Sequence, residues 1–168
     1  MNLQIDLMQA GHLPGVLRVQ AIAYRDIVPE SDRVMIRKWE LAPDCCFVCL
    51  ADGEVHGYVL AHPWHADRVP ELHGYLEQLP EAAESFYLHD LALHPALRGK
   101  RLASALFDAA RQAALRRRFR RSHLIAVQHS VPFWQKQGYR VWPVQQLRTP
   151  EKLASYGTEA TLMGQEWA

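Results

Sequence analysis

The spacing of hydrophobic residues in the first part of the chain predicts one strand followed by two helices. Residues Leu3 to Leu7 alternate between apolar and polar side chains, which is typical of a half-buried strand. From Gly11 to Ala23 the apolar residues recur at helical spacing. A second helix is predicted to begin after Ser31, a favourable N-cap, and to end before Pro43. The chain therefore opens in the order strand, helix, helix.

A β-hairpin is predicted to follow these helices. Two apolar runs, Cys46 to Ala51 and Val55 to Ala61, flank the pair Asp52-Gly53, which suits a two-residue type I′ turn. From His62 to Glu84 the pattern loses its periodicity and contains three prolines, so we expect a long excursion there. Long loops in compact domains are often functional. A new strand is expected from Phe86.

The second half of the chain predicts a parallel β-α-β unit. Leu102, Leu106 and Ala110 mark one face of a helix that continues to about Arg117, and Leu124 to Val127 is an apolar run after it. Strand, helix and strand in this order form a right-handed crossover with parallel strands, whose carboxyl ends bind ligands. The remaining predicted elements are a short helix at Pro132–Gln137, a strand at Tyr139–Trp142, a small helix at Thr149–Gly157 and a last strand at Ala160–Trp167.

A short basic turn separates the predicted Phe86 strand from the helix that follows it. The turn consists of Arg98, Gly99, Lys100 and Arg101. Unpaired N–H groups in the first turn of a helix, together with the positive end of its dipole, favour a bound anion. A glycine lets a bulky diphosphate approach the main chain. This turn is therefore a candidate phosphate cradle.

The same segment resembles the cofactor motif of the GNAT superfamily, the acyl-CoA-dependent N-acyltransferases. The family signature is Q/R-x-x-G-x-G/A after a strand that ends in a Leu-Ala-Val-like triplet, and here Arg98 to Ala103 follows Leu91 to Leu93. The internal glycine of the signature is Arg101 in this chain. If that position needs a positive φ, an arginine there costs on the order of 1 kcal/mol or more. If it needs only a helical residue, the extra cation helps to hold phosphate.

Val127 to Tyr139 resembles a second family motif, N-x-x-A-x-x-x-Y-x-x-x-G-F. The Gly138-Tyr139 end matches and Ser130 takes the place of the small residue, but Val127 replaces the asparagine and Trp134 replaces the tyrosine. In many family members that tyrosine protonates the departing CoA thiolate, and an indole N–H is far too weak an acid to do so. Two interpretations of Trp134 stay open: packing against pantetheine, or a core aromatic residue.

The resemblance covers nearly the whole chain and implies the GNAT fold. That fold is an α/β (α+β) structure with a mixed, mostly antiparallel central sheet of about seven strands, helices on both faces and a splayed parallel strand pair. It implies acetyl-CoA as the cosubstrate and no metal. The splay frees main-chain groups to bind pantetheine and to polarise the thioester carbonyl. The cofactor-binding residues implied by the resemblance are Leu91, Ala92, Leu93, Arg98, Gly99, Lys100, Arg101, Leu102, Ala103, Ser104, Ser130, Phe133 and Trp134.

A base for the amine is expected on the strand before the glycine turn. His89 is the first candidate, because the ordinary pKa of a histidine side chain, about 6.5, lets it accept a proton near neutrality. The segment Leu88 to Leu93 is similar to the histidine-bearing strand of arylalkylamine N-acetyltransferases, where histidines serve a proton-wire role. Asp90 is the alternative. Successive strand residues point to opposite faces, so only one of the two faces the acceptor unless a bulge rotates the other.

The sequence offers two tyrosines in place of the missing acid. Tyr139 is expected to begin a strand and to point inward. Tyr156 is the catalytic candidate on the acceptor side, because it lies in the C-terminal Ser-Tyr-Gly turn, a segment that often folds over the acceptor site in the family. The alternative is release of CoA as a thiolate without a dedicated acid, since thiols have pKa values of about 8.5.

Composition and charge limit the partners of the chain. With 168 residues and 49% hydrophobic content, residues 1–168 are expected to form a single domain. A net charge of +1 gives no general attraction to nucleic acid, and we expect the arginine run at 116–121 to be a solvated helix end; an RNA-associated protein is the alternative. No leader pattern and no uncharged apolar stretch of about eighteen residues occurs, so a soluble cytoplasmic protein without a membrane partner is expected.

Neither the cysteines nor the histidines predict a metal site. The three cysteines are Cys45, Cys46 and Cys49. Their spacing differs from the paired CxxC sets of zinc sites, and we expect them to be buried in strands. The excursion contains His62, His65 and His73, with no cysteine or carboxylate at ligand spacing nearby. Trp64 is either a lid residue over an apolar or aromatic amine or part of a packed loop surface.

The main functional hypothesis is transfer of an acetyl group from acetyl-CoA to a primary amine of a small molecule, by direct attack in a ternary complex. The chain is expected to be a monomer or a homodimer. One alternative is a protein or peptide N-acetyltransferase, which needs an open groove for its acceptor. Another is a non-catalytic acyl-CoA-binding module, which the altered motif positions Arg101 and Trp134 suggest.

Overall fold

The computed structural model describes residues 1–24 and 28–167. Within them, the strands are β1 (Leu3–Leu7), β2 (Phe47–Ala51), β3 (Glu54–Trp64), β4 (Ser85–Leu93), β5 (Arg121–Ala126), β6 (Arg140–Val141) and β7 (Thr161–Glu166). The α-helices are α1 (Leu13–Ala23), α2 (Asp32–Leu41), α3 (Leu102–Arg116) and α4 (Val131–Lys136). Short 3-10 segments lie at Ala10–His12, Pro43–Cys45, Pro95–Leu97, Val144–Gln146 and Pro150–Tyr156.

The strands form one sheet in the order β1-β2-β3-β4-β5-β7-β6. Every adjacent pair is antiparallel except β4 and β5, which are parallel. The helix α3 connects the two parallel strands, so the predicted β-α-β unit is confirmed. The predicted fold class, a mixed and mostly antiparallel sheet of about seven strands, is confirmed as well.

Helices cover both faces of the sheet, so the structure has two main cores. On one face α1 and α2 pack on the sheet through a cluster that includes Val16, Met35 and Tyr58. On the other face α3 packs through a cluster that includes Val59 and Leu106. Tyr58 and Val59 are neighbours in β3, and the alternation of side chains along a strand sends them into different cores.

Local chemistry fixes two of the predicted element ends. Asp52 and Gly53 have positive φ angles of 50° and 83°, as a type I′ turn requires. The hydroxyl oxygen of Ser31 accepts a hydrogen bond from the N–H of Val34 at 3.3 Å and so caps α2. The hairpin turn and the start of α2 therefore lie where the sequence predicts them.

Other elements differ in length from the prediction. β3 continues to Trp64 instead of ending at Ala61, because its last residues pair with the start of β4. The C-terminal helix is a 3-10 segment, Pro150–Tyr156, and β6 has only two residues. The excursion between β3 and β4 therefore spans residues 65–84.

The excursion is tied to the molecule on two sides. On one side the guanidinium of Arg37 in α2 donates to the carbonyls of Leu76 and Glu77 at 3.0 and 2.5 Å. On the other, the hydroxyl of Tyr156 donates to the carbonyl of Pro70 at 2.7 Å. These contacts hold the excursion over the α1–α2 face of the sheet.

The cysteines and the arginine run have ordinary structural settings. All three cysteines are buried, as predicted, but only Cys49 lies in a strand, because Cys45 belongs to the 3-10 segment Pro43–Cys45 and Cys46 directly follows it. In the arginine run, Arg117 lies 3.5 Å from Asp44 and Arg121 lies 3.2 Å from Glu166, so carboxylates neutralise part of its charge. Within the described part of the chain, no helix combines the length and the apolarity that a membrane span requires.

Candidate active site

A β-bulge in β4 turns His89 and Asp90 toward the same face of the sheet. Leu60 of β3 pairs with Asp90, and the next residue of β3, Ala61, pairs with Leu88, so His89 is the additional residue of the bulge. Both side chains form hydrogen bonds with residues of the α1–α2 side. The bulge thus places both candidate bases at one site, the outcome that a regular strand would have excluded.

Two tyrosine hydroxyls hold the side chain of Asp90. Tyr24, directly after α1, donates to Oδ1, and Tyr58 of β3 donates to Oδ2 at 2.5 Å. Burial raises the pKa of Asp90 above its ordinary value, although His89 and the two hydroxyls oppose this effect. Burial also raises the pKa of Tyr24 and of Tyr58, so both phenols stay protonated near neutrality. Asp90 is therefore anchored through both of its oxygens.

A buried carboxylate, Glu30, holds His89 from the segment that precedes α2. The Nε2 atom of His89 lies 2.6 Å from Oε1 of Glu30. Burial opposes ionisation of Glu30, but His89, Lys38 and the backbone N–H of His73 lower the pKa of Glu30 well below its ordinary value. An ionised carboxylate only accepts hydrogen bonds, so Nε2 of His89 carries a hydrogen. The other nitrogen, Nδ1, is buried without a partner among the described residues.

The parallel strands β4 and β5 separate beside these side chains. In the described structure they pair only at Phe86 with Ser122 and at Tyr87 with His123. Beyond these pairs a cavity of about 890 Å³ opens, and residues 88–93 of β4 line it. This volume lies within the range of small-molecule and cofactor pockets. The splayed strand pair that the family resemblance implies is therefore present.

The basic turn forms another part of the cavity wall. Arg98, Gly99 and Arg101 line the cavity, whereas Lys100 is exposed and does not. The first main-chain hydrogen bond of α3 runs from the N–H of Ala105 to the carbonyl of Arg101 at 3.1 Å. The N–H groups of residues 102–104, which also line the cavity, therefore have no intrahelical partner. Such groups, with the helix dipole and two arginines, suit a diphosphate.

Arg101 has a left-handed backbone conformation. Its φ is 61° and its ψ is 17°, and it stands directly before α3. Of the two alternatives for this position, the one that requires a positive φ therefore applies. An arginine in this region costs on the order of 1 kcal/mol relative to a glycine. The side chain still lines the cavity, so the strain is accompanied by a cation beside the proposed phosphate site.

The short helix α4 contributes aromatic side chains to the same cavity. Ser130, Phe133 and Trp134 line it. Trp134 is only 6% exposed, and its ring packs edge-on against Phe107 and Tyr139, with centroid distances of 5.9 and 5.6 Å. The indole is thus a core residue that also borders the cavity, and the two interpretations of the sequence are compatible.

The hydroxyl groups of both tyrosines proposed as acids are engaged. The hydroxyl of Tyr139 lies 2.7 Å from that of Ser122, and the hydroxyl of Tyr156 donates to the carbonyl of Pro70. Burial raises the pKa of Tyr139 and of Tyr156 above the ordinary value of a phenol. Both side chains are therefore weaker acids here than a solvated tyrosine.

Two further cavities adjoin the large one. The smaller has a volume of about 50 Å³ and is bounded by His89, Asp90 and Tyr156, with mostly apolar residues forming the rest of its wall. Those apolar residues are Val28, Pro29, Leu72, Ile125 and Val127. The larger is an open groove of about 720 Å³ that shares Val127 and Tyr156 with the smaller cavity.

The histidines near the excursion have structural settings in the described part of the chain. Among the described residues, no group of three His, Cys, Asp or Glu side chains is arranged to hold a metal ion. His62 is buried in β3, where its Nδ1 lies 2.9 Å from the carbonyl of Pro63, and burial lowers the pKa of His62 to about 3. Trp64 belongs to β3, packs edge-on against His62 with a centroid distance of 5.3 Å, and borders none of the three cavities.

Four residues of the site were not selected by the sequence analysis. They are Tyr24, Glu30, Lys38 and Tyr58. Lys38 carries a sequence signal, because it follows Val34 by four residues and Met35 by three and so lies on the buried face of α2. Tyr58 likewise occupies an inward position of β3. Glu30 lies directly before Ser31, the N-cap of α2, and no periodic spacing of apolar residues marks it as a buried position.

Proteins of known structure with the same fold include an N-acetyltransferase and a GNAT-like decarboxylase. The PaiA N-acetyltransferase from Thermoplasma acidophilum, in complex with coenzyme A, has a TM-score of 0.70 and 13% identity, covering 99% of this chain and 100% of that one. Arabidopsis thaliana Naa50, in complex with the bisubstrate analogue CoA-Ac-MVNAL, has a TM-score of 0.73 and 11% identity, covering 99% and 100%. The GphF GNAT-like decarboxylase, in complex with isobutyryl-CoA, has a TM-score of 0.74 and 15% identity, covering 99% of each chain. At these identities the likeness establishes the fold alone.

The sequence itself identifies the family. No curated protein matches the chain. The model of the Acetyltransferase (GNAT) family matches residues 14–139, a range that extends from α1 through the glycine turn to the end of the second motif. Together with the splayed strands and the fold, this match shows that the chain belongs to the GNAT acetyltransferase family.

Proposed function

We propose that this protein transfers an acetyl group from acetyl-CoA to a primary amine of a small-molecule acceptor, by direct attack in a ternary complex. One observation carries the proposal: the gap between β4 and β5 opens directly beside His89 and Asp90. A thioester in the gap and an amine in the adjoining small cavity would meet at these two side chains. Family membership supports acyl transfer, and the proposal adds the acetyl group, the amine and the size of the acceptor.

The residues along the gap fit an acyl-CoA. The unpaired N–H groups of residues 102–104, together with Arg98 and Arg101, would bind the diphosphate. The main chain of Leu91 to Leu93 would bind the pantetheine arm, and Phe133 and Trp134 would pack beside it. Acetyl-CoA supplies an activated thioester carbonyl for the amine to attack.

His89 is the proposed base. Because Nε2 donates a hydrogen bond to Glu30, the neutral ring has its lone pair at Nδ1, and the proton lost by the amine would pass to Nδ1, which has no partner among the described residues. The imidazolium formed in this way would stay beside the Glu30 carboxylate, which stabilises it. Asp90 remains the second candidate, but its two oxygens already accept hydrogen bonds from Tyr24 and Tyr58.

The leaving thiolate needs no dedicated acid in this proposal. A thiol has a pKa of about 8.5, so a thiolate is a tolerable leaving group near neutrality. Tyr156 is the candidate acid from the sequence. Its hydroxyl donates a hydrogen bond to the carbonyl of Pro70, and burial raises its pKa. We therefore assign Tyr156 the role of bordering the acceptor cavity.

A peptide acceptor is the second candidate, because of the open groove beside the small cavity. The groove is bordered by Ile22, Pro95, His129 and Thr158, and the excursion closes only the small cavity, through Leu72. An extended chain with its terminal amine at Asp90 would fit such a groove. Small acceptors remain our first choice because the cavity next to the proposed base has only about 50 Å³.

A panel of amines tests the proposal. Acetyl-CoA-dependent thiol release is measured with 2-methylpropylamine, 2-phenylethylamine, spermidine, free amino acids and short peptides, and products are identified by mass spectrometry. Thiol release without an amine gives the hydrolysis background. Acetylation of a small amine above this background is the expected result. Binding of CoA without amine-dependent release would favour the non-catalytic module, and efficient turnover of peptides alone would favour the peptide acceptor.

A further inference from the structure

Glu30 is the centre of a buried network of charges. Its Oε1 lies 2.6 Å from Nε2 of His89, and its Oε2 lies 3.3 Å from Nζ of Lys38. Oε2 also accepts a hydrogen bond from the backbone N–H of His73 at 2.9 Å. The side chains of Lys38 and Glu30 are 0% and 3% exposed, and that of His89 is 2% exposed. A single carboxylate thus joins the imidazole to an ammonium that solvent does not reach.

Stability of the helix does not explain a lysine at position 38. Lys38 lies on the buried face of α2 with Val34 and Met35, where an apolar side chain would pack without losing hydration. Apart from Glu30, its ammonium has one further hydrogen-bond acceptor in the described structure, the carbonyl of Gly74 at 3.5 Å. Replacing buried ion pairs by apolar residues is often neutral or stabilising. The lysine therefore needs an explanation in terms of the groups around it.

Other titratable groups surround His89 and its neighbour Asp90. They are Tyr24 at the end of α1, Tyr58 and His62 on β3, and Tyr87 and Asp90 on β4. Burial raises the pKa of each tyrosine and of Asp90, and lowers the pKa of His62 to about 3. Of the charged side chains around the imidazole, Glu30 is the carboxylate in direct contact with it, and Lys38 is the cation in contact with Glu30.

We propose that Lys38 is a positioning residue that acts on His89 through Glu30, so that the buried ammonium sets how strongly the imidazole holds its proton. This inference rests on the proposed role of His89 as the base. The carboxylate alone would favour a permanently protonated imidazole, which cannot accept a proton from an amine. The ammonium on the opposite oxygen offsets part of that attraction and so favours the neutral ring, the form that can accept a proton.

Opposite shifts in two variants test this inference. The titration of the His89 ring is followed by NMR of histidine-labelled protein, with His89→Gln to assign the signal. In Glu30→Gln the midpoint of the His89 titration should fall by about one pH unit or more, because an attractive charge is lost. In Lys38→Met it should rise by a similar amount, because the opposing charge is lost. The acidic limb of the kcat/KM profile should move in the same direction in each variant.

Matched variants separate this electrostatic effect from a structural one. Arg37→Met removes a neighbouring cation of α2 that also holds the excursion but does not touch Glu30, and it should leave the midpoint unchanged. Lys38→Arg keeps the charge and should restore a midpoint close to that of the unmodified protein. The double variant Glu30→Gln/Lys38→Met buries no unpaired charge, so it folds most readily, and its midpoint should lie above that of Glu30→Gln alone.

The outcomes are distinct from those of the acetyltransferase test. The inference would be overturned if the midpoint in Lys38→Met did not change, or if it shifted in the same direction as in Glu30→Gln. It would also be overturned if the double variant had the same midpoint as Glu30→Gln alone. If the midpoints move as expected but no amine is acetylated, the charge network stands and the proposed function fails. The NMR readout does not depend on turnover, so the two results can be separated.

Discussion

The phenol of Tyr58 donates a hydrogen bond to Oδ2 of Asp90 at 2.5 Å, across the β3–β4 pair. Burial of this carboxyl group raises its pKa. A carboxyl group with a raised pKa binds its proton more tightly in the folded than in the unfolded protein. Its contribution to stability is therefore fully present below the unfolded pKa, about 3.9 for Asp, and is lost as the pH rises through the folded pKa. The tyrosine hydroxyls oppose that loss because they stabilise the ionised form.

The Tyr58→Phe substitution should destabilise the protein more at neutral than at acidic pH. At pH 7.5 a larger fraction of Asp90 is ionised than at lower pH, so the substitution removes a donor from a charged acceptor, with an expected cost of about 1.5–3 kcal/mol. At pH 4.5 a larger fraction of Asp90 is protonated, and the expected cost is about 1 kcal/mol. Urea unfolding at the two pH values measures the difference. Tyr87→Phe is the matched control, because its hydroxyl pairs with that of Tyr156 and not with a carboxylate. Equal costs for Tyr58→Phe at both values would contradict this account.

The two candidate bases should differ in their effect on turnover. His89→Gln should lower kcat by about 10²- to 10⁴-fold, the usual contribution of a general base, with the KM for acetyl-CoA unchanged. Asp90→Asn should lower kcat by about tenfold or less, because we assign it to anchoring and not to proton transfer. Steady-state kinetics on the best amine of the panel measures both values.

His94→Gln is the control for the histidine substitution. His94 follows β4, and its Nδ1 accepts a hydrogen bond from the N–H of Ala96, so it serves the turn and not the proposed site. It should leave kcat within about twofold of the unmodified protein, as expected for a residue without a role in proton transfer. A larger loss of kcat in Asp90→Asn than in His89→Gln would make Asp90 the base.

Much of the fold could be predicted because its signals are local. The Asp52-Gly53 turn and the Ser31 cap depend on the conformational preferences of a few adjacent residues. The parallel pair β4–β5 follows from the handedness of a strand-helix-strand connection. The glycine turn was recognised from consecutive residues, and its arginines line the cavity as that motif implies.

The part of the site that the sequence did not predict depends on contacts between distant segments. Glu30 and His89 are 59 residues apart, and their contact exists only because the segment before α2 packs on β4. The bulge at His89 arises from the pairing of two strands, so neither strand alone carries its signal. The sequence therefore identified His89 and Asp90 as alternatives, whereas the structure places them together.

Arg101 should lower stability and strengthen CoA binding at the same time. Arg101→Gly removes a side chain from a left-handed position with φ of 61°, so the free energy of unfolding should rise by about 1 kcal/mol. It also removes a cation from the proposed diphosphate site, so the Kd for CoA should rise severalfold. Arg101→Asn should behave similarly, because asparagine tolerates this conformation better than arginine. Thermal unfolding and calorimetric titration with CoA measure the two effects.

Arg98→Gln separates the two effects in the Arg101 variants. Arg98 lines the same cavity, but its φ of −65° carries no such strain. Its loss should weaken CoA binding severalfold without raising the free energy of unfolding. If Arg101→Gly bound CoA as tightly as the unmodified protein, the proposed contact between Arg101 and phosphate would be wrong, whatever the change in stability.

A pair of tryptophan substitutions should identify the acceptor site. Leu72 borders the 50 Å³ cavity beside His89, and Thr158 borders the open groove. Leu72→Trp should fill the small cavity and raise the KM for a small amine by about tenfold or more, because the indole occupies the volume that the amine needs. Thr158→Trp should leave that KM within about twofold, because its side chain lies outside the cavity. The KM for acetyl-CoA serves as the internal control and should stay constant in both variants, since neither residue borders the gap between β4 and β5. The opposite result, in which Thr158→Trp abolishes acetylation of peptides and Leu72→Trp leaves it intact, would place the natural acceptor in the groove and favour a peptide substrate.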